Sequence, residues 1–145
     1  MSLEPNADMT AAEMQTFLDA PRMAVLGTIL RDGMPSLNPV WYLYEDGKFL
    51  LSMGRSSYYT RNMARDPRAS ICIQQEETPV KGVVARGPVT IETDRDYALV
   101  RRLAVRYRGE EGGRAYLDKL LPAGPDLVVV TLTPARLASW DYAKR

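Results

Sequence analysis

The stretch Ser52-Met53-Gly54-Arg55-Ser56-Ser57-Tyr58-Tyr59-Thr60-Arg61-Asn62-Met63-Ala64-Arg65-Asp66-Pro67-Arg68 organises the reading of this chain. It starts as the end of a strand, is freed by a glycine, and continues with two hydroxyl residues of the kind that cap helices. Ser56 or Ser57 opens a helix that runs to about Arg65. Asp66-Pro67 stops it, because the residue before a proline is pushed out of helical geometry. The first amides of a helix lack partners and its dipole favours negative charge, so such a start accepts an anion. Arg55 and Arg61 flank it, and guanidinium groups bind phosphate oxygens in pairs. A capped helix with solvated arginines fits the same spacing, and chemistry alone leaves both readings open.

Upstream, the pattern is that of an antiparallel meander. Met23 to Leu30 is a β-rich run followed by the turn Arg31-Asp32-Gly33. Met34 to Tyr44 is a second strand. Pro35 and Pro39 mark it as an edge strand or a bulged one, since proline donates nothing to a ladder. Glu45-Asp46-Gly47 is a tight hairpin signal, and Lys48 to Met53 is the third strand. Before the meander stands a short helix, with Thr10 and Glu13 as a capping box, Met14, Phe17 and Leu18 as its apolar face, and Pro21 ending it. Residues 1–9 read as a loose N-terminal extension.

Downstream, Ala69 to Gln74 and Val80 to Ile91 are the fourth and fifth strands, with Gln75 to Pro79 between them. Gly87-Pro88 predicts a bulge or a close backbone approach. Thr93 caps a helix to about Tyr107, whose apolar side carries Leu99, Leu103 and Tyr107. Gly109, Gly112 and Gly113 break it before a short helix from Arg114 to Leu121. Leu127 to Leu132 is a sixth strand and Ala135 to Trp140 a possible seventh. An antiparallel sheet of this size must hide its edges, and closure is the economical solution. The expectation is a mainly β single domain, 1–145, built as a six- to seven-stranded antiparallel split β-barrel with flanking helices.

Composition narrows the function. The chain has 145 residues, 46% hydrophobic and 26% charged, ordinary values for one domain with one core. Nineteen basic residues against eighteen acidic ones give a net charge of +1, which offers no broad footprint for nucleic acid or a membrane surface. Any anion site is therefore local. The absence of histidine removes Ser-His-Asp and Cys-His nucleophiles, His-bearing zinc sites and axial His ligation of haem. The single cysteine, Cys72, lies in the strand-like run Ile71-Cys72-Ile73 and reads as a small buried apolar side chain. No secretory leader precedes the first helix and no apolar run is long enough to span a membrane, so a cytoplasmic location is expected. No set of side chains forms an acid–base pair, as suits an enzyme whose cofactor carries the chemistry.

The order of these pieces resembles the pyridoxamine-5′-phosphate-oxidase-like split-barrel family, in particular its small flavin- and deazaflavin-dependent oxidoreductases. The residues that carry the resemblance are Gly27-Thr28, Asp32-Gly33-Met34-Pro35, Asn38-Pro39-Val40-Trp41, Gly54 to Asn62, Arg65 to Ser70, Gly87, Arg106-Tyr107 and Ser139-Trp140-Asp141. The resemblance implies a homodimer with cofactor at the subunit interface, a small-molecule substrate, and FMN or the deazaflavin coenzyme F-420 as the phosphate-bearing cofactor. Carried onto this chain, Ser52, Met53 and Gly54 pass beside the ring and ribityl chain. Arg55, Ser57, Thr60, Arg61 and Asn62 surround the phosphate, with Tyr58 and Tyr59 as further cofactor-binding residues. Asn38, Pro39, Val40 and Trp41 form the wall near the ring, with Gln74 and Trp140 as further contacts. The family commonly has lysine where Tyr59 stands.

The reaction this implies is hydride transfer between the cofactor and a small unsaturated substrate, and a non-catalytic FMN or ligand carrier is the alternative on the same scaffold. Core packing or dimer contact is the default role for Trp41, Tyr42 and Tyr44. Arg101, Arg102, Arg106 and Arg108 read as a solvated helix face, or as contacts for an anionic cofactor tail.

Overall fold

Burial alternates along nearly every strand, and that alternation sets the architecture. The computed structural model of the chain describes residues 2, 3 and 7–145. Nine strands occur among them: β1 (Ser2–Leu3), β2 (Ala24–Ile29), β3 (Pro35–Val40), β4 (Leu43–Glu45), β5 (Lys48–Gly54), β6 (Arg68–Gln75), β7 (Lys81–Thr93), β8 (Leu127–Leu132) and β9 (Arg136–Asp141). The helices are α1 (Ala11–Asp19), α2 (Tyr58–Arg65) and α3 (Ala98–Leu120).

The sheet runs in the order β3-β2-β6-β7-β8-β5-β4, with β9 also on β7 and β1 parallel to β9. Its two end strands, β3 and β4, are consecutive in the chain. Only Trp41 and Tyr42 separate them, so the sheet curls back on itself and remains split at that seam. The single second strand expected over 34–44 is thus two strands that serve opposite ends of the sheet. Inward-facing Leu26, Phe49, Leu51, Ile71, Ile73, Val83, Val130 and Leu137 fill the interior, and Met14, Phe17 and Leu18 of α1 close one end.

Local signals account for much of this. Thr10 and Glu13 cap α1 reciprocally at 3.1 and 3.0 Å. Asp46 and Gly47 both have positive φ, as the tight β4–β5 hairpin requires. The prolines of β3 are tolerated because, among the described residues, β3 pairs only with β2. At Gly87 the link between β8 and β9 crosses the sheet so closely that an added Cβ would sit 2.1 Å from the Thr133 carbonyl oxygen. There β7 exchanges β9 for β8 as its neighbour.

Two expectations need correction. Thr93 ends β7 instead of capping α3. The Asp94 carboxylate does that work, accepting the amides of Leu99 and Val100 at 2.9 and 3.0 Å across a tight turn with positive φ at Asp96 and Tyr97. The break in α3 falls at Gly109 (φ 77°, ψ 177°), but the helix resumes at once instead of at Arg114. Of the extension 1–9, Met1 and residues 4–6 lie outside the described residues. Asp8 bonds the Ser139 carbonyl at 3.1 Å and Met9 is buried. No helix among the described residues is long and apolar enough to cross a membrane.

Candidate functional site

The end of β5 and the start of α2 are joined by a small hydroxyl network. Ser57 is the N-cap, and its Oγ accepts the Thr60 amide at 3.4 Å. The hydroxyls of Ser57 and Thr60 lie 2.7 Å apart and both donate to the Gly54 carbonyl, at 2.9 and 2.7 Å. The turn is therefore rigid. Arg61 N is taken by Ser57 O, which leaves Tyr58 and Tyr59 with the amides that the first turn of a helix cannot satisfy. Among the described residues nothing lies within 4 Å of where a Cβ would stand at Gly54, so the strand end borders open space.

The predicted phosphate residues part company around this turn. Arg55 swings away, its Nε on Asp126 at 2.9 Å and its Nη2 donating to the Thr93 hydroxyl at 2.7 Å. Asn62 is buried, donating to Thr28 Oγ1 at 3.2 Å and accepting from Arg65 at 3.1 Å, so it pins α2 to β2. Tyr59 packs against the core and meets the Tyr58 ring edge-on at 5.3 Å. At the position where the family carries lysine, this chain presents an aromatic wedge and no charge. Arg61 turns instead into a cleft of about 430 Å³ between α2 and the β2–β3 turn, lined by Leu30, Arg31, Asp32, Tyr58, Asn62 and Arg65.

The predicted ring wall also divides. Asn38 donates to the Tyr58 hydroxyl at 2.7 Å and bridges β3 to α2, while its buried Oδ1 has no partner among the described residues. Val40 packs on the core and Pro39 is exposed on the opposite side of the strand. Trp41 stacks on Tyr107 (4.9 Å, 4°) and leans on Tyr116, with Arg108 over its ring. Ser52 is half-buried and Met53 buried within β5. Gln74 and Trp140 lie apart from α2, both opposite Gly82, where the indole occupies the space a Cβ would take.

Sequence reasoning gave no site role to Arg31, Arg65, Asp126 or Thr93. Arg31 was visible only as a turn residue, and nothing local places that turn beside α2. The expected solvated arginine face also needs correction. Arg106 donates to the carbonyls of Leu18, Asp19 and Ala20 at 3.0, 2.7 and 3.1 Å, and Arg102 forms a two-pronged pair with Glu45 at 3.1 and 2.6 Å.

One further surface stands out. The outer face of β2, β3 and β6 exposes Met23 (55%), Val25 (39%) and Leu37 (69%) beside half-buried Cys72. Burial pushes the Cys72 thiol above its ordinary range, which leaves it a packing residue. Next to this face is a largely apolar concavity of about 630 Å³ lined by Gly27, Leu37 and Ser70, with Arg68, Arg86 and Arg136 at its rim. Among the described residues no group of three or more His, Cys, Asp or Glu side chains could hold a metal.

The family model described as pyridoxamine 5′-phosphate oxidase matches residues 10–141. Among solved structures, the conserved hypothetical protein Rv2991 from Mycobacterium tuberculosis is 27% identical, with a TM-score of 0.78 over 99% of this chain and 92% of that one. A protein titled F420 reductase aligns at 20% identity, TM-score 0.70, over 86% of this chain and 94% of that one. A FAD-binding protein from Mesorhizobium loti aligns at 19% identity, TM-score 0.63, over 90% and 94%. The last two likenesses concern the fold.

Proposed function

The chain belongs to the pyridoxamine 5′-phosphate oxidase family, and on that premise we propose that it is an oxidoreductase binding FMN or the deazaflavin coenzyme F-420 along the end of β5 and the start of α2. The observation that carries this reading is the turn itself. A Gly54–Ser57–Thr60 hydrogen-bond network holds, beside open space, the amides of Tyr58 and Tyr59, which have no partner among the described residues. Those groups fit a phosphate: fixed N–H donors at the positive end of a helix. The partnerless Asn38 Oδ1 is an acceptor suited to a ring N–H. When bound, the ring supplies the hydride chemistry toward a small unsaturated substrate. Ser57 and Thr60 hold the turn, the positive end of α2 balances phosphate charge, and Tyr58 with Asn38 screens one side from water.

The exposed apolar face around Val25 and Leu37 supports a homodimer through which the second subunit covers the cofactor, at work in the cytoplasm. Sedimentation of the wild-type chain as a monomer would remove this part of the proposal.

The direct test is spectroscopic. The purified protein is scanned for flavin absorption and titrated with FMN and with coenzyme F-420 while cofactor fluorescence is followed. Saturable binding of either at micromolar concentration is expected, and binding of neither overturns the reading. Binding with no turnover of any unsaturated acceptor would leave a carrier.

A further inference from the structure

The cleft on the side of α2 is a different place from the start of that helix. At the start, hydroxyls and amides surround Gly54 and Arg55 turns away. In the cleft, Arg31 and Asp32 of the β2–β3 turn face Tyr58, Arg61 and Arg65, residues spaced to share one side of α2. Three guanidinium groups meet one carboxylate, which already accepts the Met34 amide within its own turn at 3.0 Å. Like charges gathered in this way oppose folding unless something else compensates them.

The walls are fixed. Arg65 donates to the Ile29 carbonyl at 2.5 Å and to Asn62, and Asn62 is anchored on Thr28. Arg31 and Arg61 are exposed, and neither side chain has a hydrogen-bond or ion-pair partner among the described residues. The cleft thus holds a surplus of two positive charges, with an uncommitted fork on each wall. Planar forks on opposite walls match the oxygens of a phosphate-class dianion.

We propose that this cleft binds a second anionic group, a phosphate-class dianion, with Arg31 and Arg61 as its donors and Arg65 as a fixed supporting charge. The inference rests on the cofactor reading above in one respect: the first phosphate occupies the helix start. The second group is either the cofactor's own, carried beyond that phosphate, or part of a separate phosphorylated ligand.

The test titrates the full chain and Arg31→Glu with FMN, which has one phosphate, and with FAD, which has the same ring and two. Inorganic phosphate is then added to the FMN-loaded proteins and followed by phosphorus NMR. If the cofactor supplies the group, Arg31→Glu weakens FAD binding about tenfold or more and FMN binding less than about twofold. If a separate ligand supplies it, both flavins bind the two proteins alike, and phosphate binds wild type but not Arg31→Glu. Equal weakening of both flavins would put the first phosphate in the cleft and overturn the proposal. So would the absence of Arg31-dependent binding in every arm. Should wild type bind neither flavin nor coenzyme F-420, the cofactor reading fails, and the phosphate arm on unloaded protein decides the cleft alone. Circular dichroism confirms that the turn variant folds. Arg31→Gln, which removes the charge without reversing it, is expected to act in the same direction and more weakly.

Discussion

Arg106 and Arg61 both stand on helices, yet the fold treats them in opposite ways. Arg106 lies between the rings of Tyr42 and Tyr107, 5.0 and 5.5 Å from their centres, and donates to the three carbonyls that end α1. It is a cation placed where a helix exposes its negative pole. Arg61 stands on the side of α2 with its fork unengaged, facing Arg31 and Arg65. A charged donor surrounded by acceptors maintains structure. One placed among other donors is left free to meet an anion. The same contrast separates Arg55, committed to Asp126 and Thr93, from Arg61 six residues on.

The sharpest way to break this contrast is to remove each arginine and compare stability with binding. Arg106→Ala is expected to lower stability by about 2–3 kcal/mol, because three carbonyls at the end of α1, two of them partly buried, lose a charged donor. Urea unfolding measures this, and a loss below about 1 kcal/mol would show that Arg106 is as dispensable as a surface cation. Arg61→Ala is expected to leave the urea midpoint nearly unchanged and to weaken binding of the anion held in the cleft by roughly 1.5–3 kcal/mol, the range for hydrogen bonds to charged groups. Unchanged affinity for both FAD and inorganic phosphate would take Arg61 out of the cleft. Ser57→Ala falls between the two classes: loss of the cap is expected to cost about 1 kcal/mol of stability and to loosen the turn that holds the open amides. A thermal melt and a binding titration on the same variant separate those effects.

The smallest expected effect concerns Glu13 at the start of α1. Lys144 at 2.7 Å, with the Thr10 amide and hydroxyl, holds its carboxyl down from 4.5 to about 2. A carboxylate whose pKa falls on folding stabilises the protein above its unfolded pKa, and that contribution is lost as pH drops through the folded value. The wild type should therefore lose stability between pH 4.5 and about 2, and Glu13→Gln should flatten that part of the profile. Identical acid limbs for the two proteins would show that this exposed pair contributes nothing.

The legible parts of the sequence were those whose cause is local. The capping box at Thr10, the cap at Ser57, the Asp46-Gly47 hairpin and the break at Gly109 each follow from two to four neighbouring residues with defined backbone demands. The family pattern extended this to the fold because it preserved the order of such local units. What escaped depended on pairs far apart in the chain. Arg55 meets Asp126, 71 positions away, and Arg106 meets Leu18, 88 positions away. The helix cap at Thr93 was misplaced for a related reason. The cap depends on where β7 stops pairing with β8, which the hydroxyl alone does not reveal.

By itself the sequence determined that this chain would be a mainly β domain with a capped, anion-friendly helix after its third long strand. Strand period, turn chemistry and capping are short-range constraints that the backbone obeys wherever they occur. Only the tertiary structure decided which arginines are available. It engaged Arg55 and Arg106 with distant acceptors, packed Tyr59 partly against the core, and brought Arg31 across to Arg61. A charge becomes a site or a strut according to what folding places within 3 Å of it, and that distance is set by the curl of the sheet.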